Sequence, residues 1–440
     1  MNRCCIVSLF AVALSSVASA QSASRNDSSA KHDSVALADS VALIATVEQE
    51  LGANASDTSA SRTATAPAHP AAVYMNIGLV SLTDAGWSTE PNVSALQRGD
   101  HDPAVRGFTL PNTELTLEGA VDPYLKASSS VVLKLDQDGE TRIELEEAYL
   151  LTNSLPANLQ LKGGQFFVEF GRQNSQHPHS WSFVDQPLIL NRMFGPDGLR
   201  SQGVRLSWLV PTPFYAEALL TLVNSTGETT HSFRSPESTE IHGGVPVQRR
   251  VVGLGEMLVV PRITTSFEIT ETQTFLLGAS GAFGPNNSGP RGKTSVLGVD
   301  GYWKWKPDAA EQGFPFLSLQ AEALTRHYDA AQRESEENPP RTLAAEILTD
   351  RGAYGQLLWG IKPRIVAGLR TEVAKGSRSA FPSELRMDRV RTSPNFTWYP
   401  TEFSKFRIQY NYDHRKGIGT DHSLWFQVEF LLGAHASHKF

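Results

Sequence analysis

From residue 404 to the end of the chain, apolar and polar side chains alternate. Phe406, Ile408, Tyr410 and Tyr412 interleave with Lys405, Arg407, Gln409, Asn411 and Asp413. Past a glycine-containing turn, Leu424, Phe426, Val428, Phe430 and Leu432 interleave with Trp425, Gln427 and Glu429. Period two is the strand period, and it gives each strand one greasy and one polar face. A soluble sheet buries its greasy face in its own core. Here the other face carries ions and amides at nearly every position, and the chain ends on Phe440. An apolar-out, polar-in hairpin closed by an aromatic suits a membrane-spanning barrel, with a soluble β-sandwich as the alternative.

The same alternation predicts about 16 strands, at 74–82, 112–121, 126–136, 142–152, 157–170, 201–210, 214–225, 254–268, 272–284, 294–306, 316–328, 351–361, 363–375, 387–400, 404–414 and 423–433. Their links sort by parity. Short ones (122–125, 153–156, 211–213, 269–271 and a tight turn at Lys362) alternate with long ones (83–111, 171–200, 225–250, 328–350 and 375–386). The exceptions are a longer link at 307–315 on the short side and a short one at 137–140 on the long side. A sandwich has no reason to sort its loops this way, whereas a membrane barrel has short turns at one rim and long loops at the other. The predicted fold is therefore all-β, an antiparallel transmembrane barrel. Trp208, Trp303, Trp305, Trp398, Tyr399, Tyr410 and Tyr412 fall where interfacial girdles belong.

The N-terminus changes the domain picture. Met1-Asn2-Arg3, the apolar run 4–17 and Ala18-Ser19-Ala20 read as a signal peptide over 1–20. Residues 21–70 read as a disordered or short-helical periplasmic segment, and 71–440 as the barrel. Both cysteines, Cys4 and Cys5, lie in the signal peptide, so no disulfide or thiol chemistry is expected in the mature chain. The net charge of −7 is spread along the chain and points to no nucleic-acid partner.

Parity assigns the lumen-facing side chains. Glu114, Glu118, Lys134, Asp136, Arg142, Glu144, Glu146 and Lys162 line one arc, which leans acidic; Glu147 falls on the outward parity in mid-strand. Arg364, Arg370, Glu372, Arg391, Lys405, Arg407 and Asp413 line another, which leans basic. Opposed arcs across water would impose a transverse field on passing solutes. The third loop on the long-loop side, 171–200, carries Arg172, His177, His179, Trp181, Asp185, Arg192, Asp197 and Arg200. It is too long and too apolar to stay in solvent. It is expected to enter the lumen on Phe183, Leu188 and Phe194, with Arg172, Arg192 and Arg200 facing water. Arg364, Arg391 and Arg407 are expected on the wall opposite or beside Asp185 and Asp197, with water between them. His177 and His179, with His435 or His438, make a weak ligand set, and no close carboxylate pair completes it, so no metal and no cofactor is expected. With no GxSxG, HExxH, P-loop or Rossmann fingerprint, no enzyme is expected.

The segment 146–211, EEAYLLTNSLPANLQLKGGQFFVEFGRQNSQHPHSWSFVDQPLILNRMFGPDGLRSQGVRLSWLVP, resembles the phosphate-selective porin (porin O and P) superfamily. Within it the chain looks most like an outer-membrane branch with an HxHxWxFxDxP loop, which 107–127 and the ending LLGAHASHKF also match. The resemblance covers roughly 74–440. It implies a porin in the outer membrane of a Gram-negative-type bacterium, passing small hydrophilic or charged solutes, among outer-membrane lipids. It also suggests a homotrimer, and assembly by the barrel-assembly machinery through Phe440. The basic residue ladders of phosphate-selective members are not evident as such in this chain. The alternatives are a ligand or metal receptor barrel without channel activity, and a barrel enzyme.

Overall fold

The structure, a computed structural model, describes residues 75–433 except 154, 250, 312 and 382. The signal-peptide and 21–70 segments, Phe440, His435 and His438 lie outside the described residues. Among the described residues, sixteen strands close into one barrel. They are β1 (Met75–Ser88), β2 (Gly107–Ala120), β3 (Leu125–Leu135), β4 (Thr141–Thr152), β5 (Leu159–Phe167), β6 (Arg200–Leu209), β7 (Tyr215–Val223), β8 (Leu258–Thr270), β9 (Gln273–Pro285), β10 (Lys293–Trp305), β11 (Phe316–Ala330), β14 (Glu346–Lys362), β15 (Ile365–Gly376), β16 (Arg389–Thr401), β17 (Ser404–Arg415) and β18 (Gly419–Gly433). Two further short strands, β12 (Arg333–Glu334) and β13 (Thr342–Leu343), make a separate ribbon in the loop after β11. Every predicted strand is present. Each pairs antiparallel with its sequence neighbours around the ring, and β1 closes it on β18, with Gly78 opposite Gly433 and Ser88 opposite Ser423.

Long loops collect at one rim, the loop end, at 89–106, 168–199, 224–257, 331–345 and 377–388. Links at the opposite turn end are short, down to two residues at 271–272, 363–364 and 402–403, with 306–315 the longest. Two short α-helices break the long loops: α1 (Leu188–Phe194) in 168–199, the third loop along the loop end, and α2 (Thr239–His242) in 224–257, the fourth.

The strand period decides what each wall position meets. On β11, Leu319, Ala321 and Ala323 point out, while Ser318, Gln320, Glu322, Arg326 and Tyr328 point in and are buried. Leu357, Trp359, Leu369, Phe396, Phe406, Phe426, Val428 and Phe430 add to the exposed apolar exterior. Such an exterior is stable only against hydrocarbon. Trp398 stacks on Phe406 on this face, and Tyr410 and Tyr412 lie beside His422. Tyr399 departs from the predicted girdle: the register shifts between Trp398 and Thr401, and its ring packs on the Phe314, Phe316 and Val366 cluster.

The lumen is filled over the loop end. Phe166, Phe170, Ile189, Leu190, Met193, Phe194, Phe233, Val260, Val296 and Leu324 form an apolar core inside the ring. Each such side chain contributes about 1.5–3 kcal/mol when removed from water, enough to offset the entropy of ordering the loops that supply them.

Candidate functional site: the lumen and its inserted loop

The third loop turns inward at Gly171, whose φ of +63° lies in the left-handed region. A Cβ there would also collide with the carboxylate of Glu322. That carboxylate accepts the backbone N–H groups of Arg172 (3.1 Å) and Gln173 (2.7 Å) and the hydroxyl of Tyr354 (2.7 Å). Asn174 ties the neck of the loop, donating to the carbonyls of Val168 and Leu199 and accepting from Leu199 N–H.

The wall from β15 to β18 grips the middle of the loop. Lys405 donates to the carbonyl of His179 (3.0 Å), Arg407 to that of Trp181 (2.9 Å), and Arg391 to that of Gln186 (2.7 Å). Asp185 is the hub. Arg391 pairs with it at 2.9 Å, Arg370 binds both its carboxylate and its backbone carbonyl, and Gln409 and Asn411 donate to it at 2.8 and 3.1 Å. Burial pushes the Asp185 carboxyl up, but the charges of Arg391 and Arg370 outweigh it and hold it down at about 2. Glu372 pairs with Arg370 and Arg391 and accepts Leu188 N–H at 2.6 Å, at the start of α1. The basic arc is thus spent on the loop.

Several expectations need correction here. Arg391 and Asp185 touch, with no water between them. Arg172, Arg192 and Arg200 do not face water; all three are buried. Arg172 donates to Gln320 and lies over the Tyr302 ring, Arg192 reaches the carbonyl of Met387, and Arg200 pairs with Glu144. Arg364 is not on the lumen wall. It sits in the β14–β15 turn with φ of +71°, outside strand parity, and donates to the carbonyl of Pro400. Arg142 and Asp136 pair with each other at the loop-end rim, Arg142 well exposed. Asp197 lies near Lys134 of β3, away from Arg391 and Arg407. Phe183 lies under Arg370, while Leu188 and Phe194 are buried as expected.

The acidic arc also differs. β3 and β4 shift register between Ser130 and Val131, so that Ser130 opposes Glu147 and Val131 opposes Leu145. Glu146 is the extra residue of a bulge, which resets the alternation. Glu146 and Glu147 consequently both turn inward, and Glu147 loses its anomalous parity. Glu114 and Glu146 approach His177 Nδ1 at 3.1 and 3.2 Å, Glu147 bonds His177 Nε2 at 3.0 Å, and Glu114 meets His179 Nδ1 at 3.2 Å. His101, which sequence reasoning missed, reaches Glu146 at 3.0 Å. The close carboxylates judged absent from the sequence are therefore present, brought by β2 and β4. Glu118 sits half-buried below them toward the turn end, and Glu144 above them toward the loop end, pairing with Lys134.

Behind the loop, His231 is buried against Gly195. Burial, and then the Arg326 charge, push its imidazole down to about 3. A lowered folded value means that stability is full above the ordinary value of about 6.5 and declines as pH falls toward 3. The thermal midpoint of the folded barrel is expected to fall over that window, and His231→Gln should flatten the profile. An unchanged slope in the variant would remove His231 from the acid response.

No family model matches the chain. An uncharacterized protein of Aquifex aeolicus (strain VF5) is 31% identical over 362 residues, covering 76% of this chain and 70% of that protein. Among solved structures, the outer membrane channel DcaP of Acinetobacter baumannii aligns with a TM-score of 0.53 and 13% identity, over 83% of this chain and 99% of that one. Pseudomonas putida OprB aligns with a TM-score of 0.48 and 10% identity, over 82% of this chain and 94% of that one.

Proposed function

The chain belongs to the same family as the Aquifex aeolicus protein, and for a member that closes this barrel we propose passive diffusion of small hydrophilic or charged solutes across an outer membrane. One observation carries the reading: a closed ring of sixteen strands with an apolar exterior encloses a wall of ions and amides. In this reading the loop end faces outward and the turn end, where β1 begins and β18 ends, faces the periplasm, with Phe440 addressing the assembly machinery. Homotrimer formation and kinship with phosphate-selective porins belong to the same proposal, on the strength of the sequence resemblance.

The path is narrow. At the turn end, Glu118, Ser128, Tyr149, Lys162, Tyr302 and Lys304 are half-buried. Above it the inserted loop covers the wall of β15–β18. Purified protein in planar bilayers is expected to give small, discrete conductance steps. A folded protein that never opens would favour the second reading, a ligand-capturing barrel without channel activity, which the full engagement of Arg370, Arg391 and Arg407 by the loop supports.

A further inference from the structure

The cluster beneath the β4 bulge has the geometry of a cation site. Glu114, Glu146 and His177 each offer a donor atom, and all three atoms lie within 4.8 Å of one another. The Nδ1 of His177 stands 3.1 Å from Glu114 Oε1 and 3.2 Å from Glu146 Oε2. Donors about 2.0–2.1 Å from a tetrahedral ion lie about 3.3 Å apart, close to these separations.

The hydrogen bonds around the cluster point the same way. His177 Nε2 bonds the carboxylate of Glu147 at 3.0 Å, and in the neutral ring a proton on Nε2 leaves an Nδ1 lone pair toward Glu114 and Glu146. His101 Nδ1 lies 3.3 Å from the carbonyl of Pro111, which leaves its Nε2 lone pair toward Glu146 Oε1 at 3.0 Å. Two imidazole lone pairs thus aim at one carboxylate. Among the described residues neither oxygen of Glu146, which is 0% exposed, has a partner in hydrogen-bond geometry, and neither does His177 Nδ1 or His101 Nε2. A cation held by Glu114, Glu146 and His177 satisfies Glu146 Oε2 and His177 Nδ1 together.

A second acidic cluster, Asp100, His101 and Asp197, lies nearby, but the ammonium of Lys134 already contacts both of its carboxylates. Among the described residues the inner cluster has no such ammonium; Arg200 pairs with Glu146 at 3.9 Å and is engaged more closely by Glu144. His177 and Glu147 each keep 13% side-chain exposure, so the cluster is not sealed.

We propose that Glu114, Glu146 and His177 bind a divalent transition-metal ion of the zinc class inside the lumen, with His101 closing on Glu146 and Glu147 orienting His177. The rival arrangement is protonated imidazoles that neutralise the carboxylates with no ion bound. The site stands apart from the diffusion reading, because its test does not involve transport.

Full-length protein folded in detergent, stripped with a chelator and dialysed, is titrated with Zn²⁺ and with Co²⁺. The expected result is about one ion per chain, with Co²⁺ giving the intense visible bands of a four-coordinate ion. Glu146→Gln and His177→Gln should each abolish saturable binding. Glu147→Gln should weaken it about 10- to 100-fold with the same stoichiometry. The heat-modifiable mobility of the intact barrel reports folding for every variant. X-ray absorption on the zinc-loaded natural protein gives a readout that needs no variant, and a mixed nitrogen and oxygen shell is expected. No binding by the folded protein, binding that survives both substitutions, or an all-oxygen shell overturns the proposal.

Discussion

Arg391→Met should free the third loop from the wall and enlarge the channel. Arg391 is buried between Asp185 and Glu372, so its removal leaves two carboxylates sharing Arg370 alone. Breaking a buried pair by deleting one partner costs about 3–5 kcal/mol. The barrel ladders do not run through this contact, so the loop is the part that yields. Single-channel conductance should rise, and protease should cut within 171–199 while the barrel stays intact. Adding Arg407→Met removes the donor to the Trp181 carbonyl and a second positive charge. The reversal potential in a salt gradient should then shift toward cations, and the shift should shrink as salt screens the field. Unchanged conductance and an uncut loop would mean that the arginine grip is not what holds the loop.

Asp350→Asn should be the most destabilising single substitution in the lumen. Asp350 is fully buried, with Arg326 at 2.7 Å and Arg386 at 3.2 Å. Arg326 also donates to the carbonyl of Arg192 (3.0 Å) and to Ser232 (2.8 Å). One carboxylate therefore holds the 168–199, 224–257 and 377–388 loops together. Without it two guanidiniums face each other unneutralised in a dry interior, and a loss of about 3–5 kcal/mol is expected in the unfolding free energy. Arg386→Met should cost less, and the double variant less than the sum, because the second change relieves the repulsion. Additive effects in a denaturant-unfolding cycle would rule out this coupling.

The wall was legible in the sequence because period two is a local property. Alternation from Lys405 to Asp413 says which side chains face in without knowledge of any partner. Loop parity needed only the spacing between strands. What the inward side chains meet was not legible, because it depends on distant residues: Arg391 and Gln186 are 205 positions apart. The arginines of the third loop were expected in water because a long loop was pictured lining a hollow lumen, not filling it. Arg364 was misplaced because a turn residue with positive φ follows no strand parity. The bulge did leave a signal, two successive glutamates in a strand that should alternate, and it is what brings Glu146 and Glu147 to His177.

The ring closes between β1 and β18, the described strands farthest apart in sequence. Its seam includes the Ser88 and Thr89 hydroxyls on Asp421 at 2.7 and 2.6 Å. A chain made from its N-terminus has no partner for the free edge of β1 until β18 exists. The residues that seat the third loop, Arg370 to Asn411, also come late. For most of its synthesis the polypeptide is an open sheet with two unprotected edges and an unseated loop. Such edges invite pairing with other chains, so the price of a wall without edges at the end is a long period in which both must be shielded by something other than the protein itself.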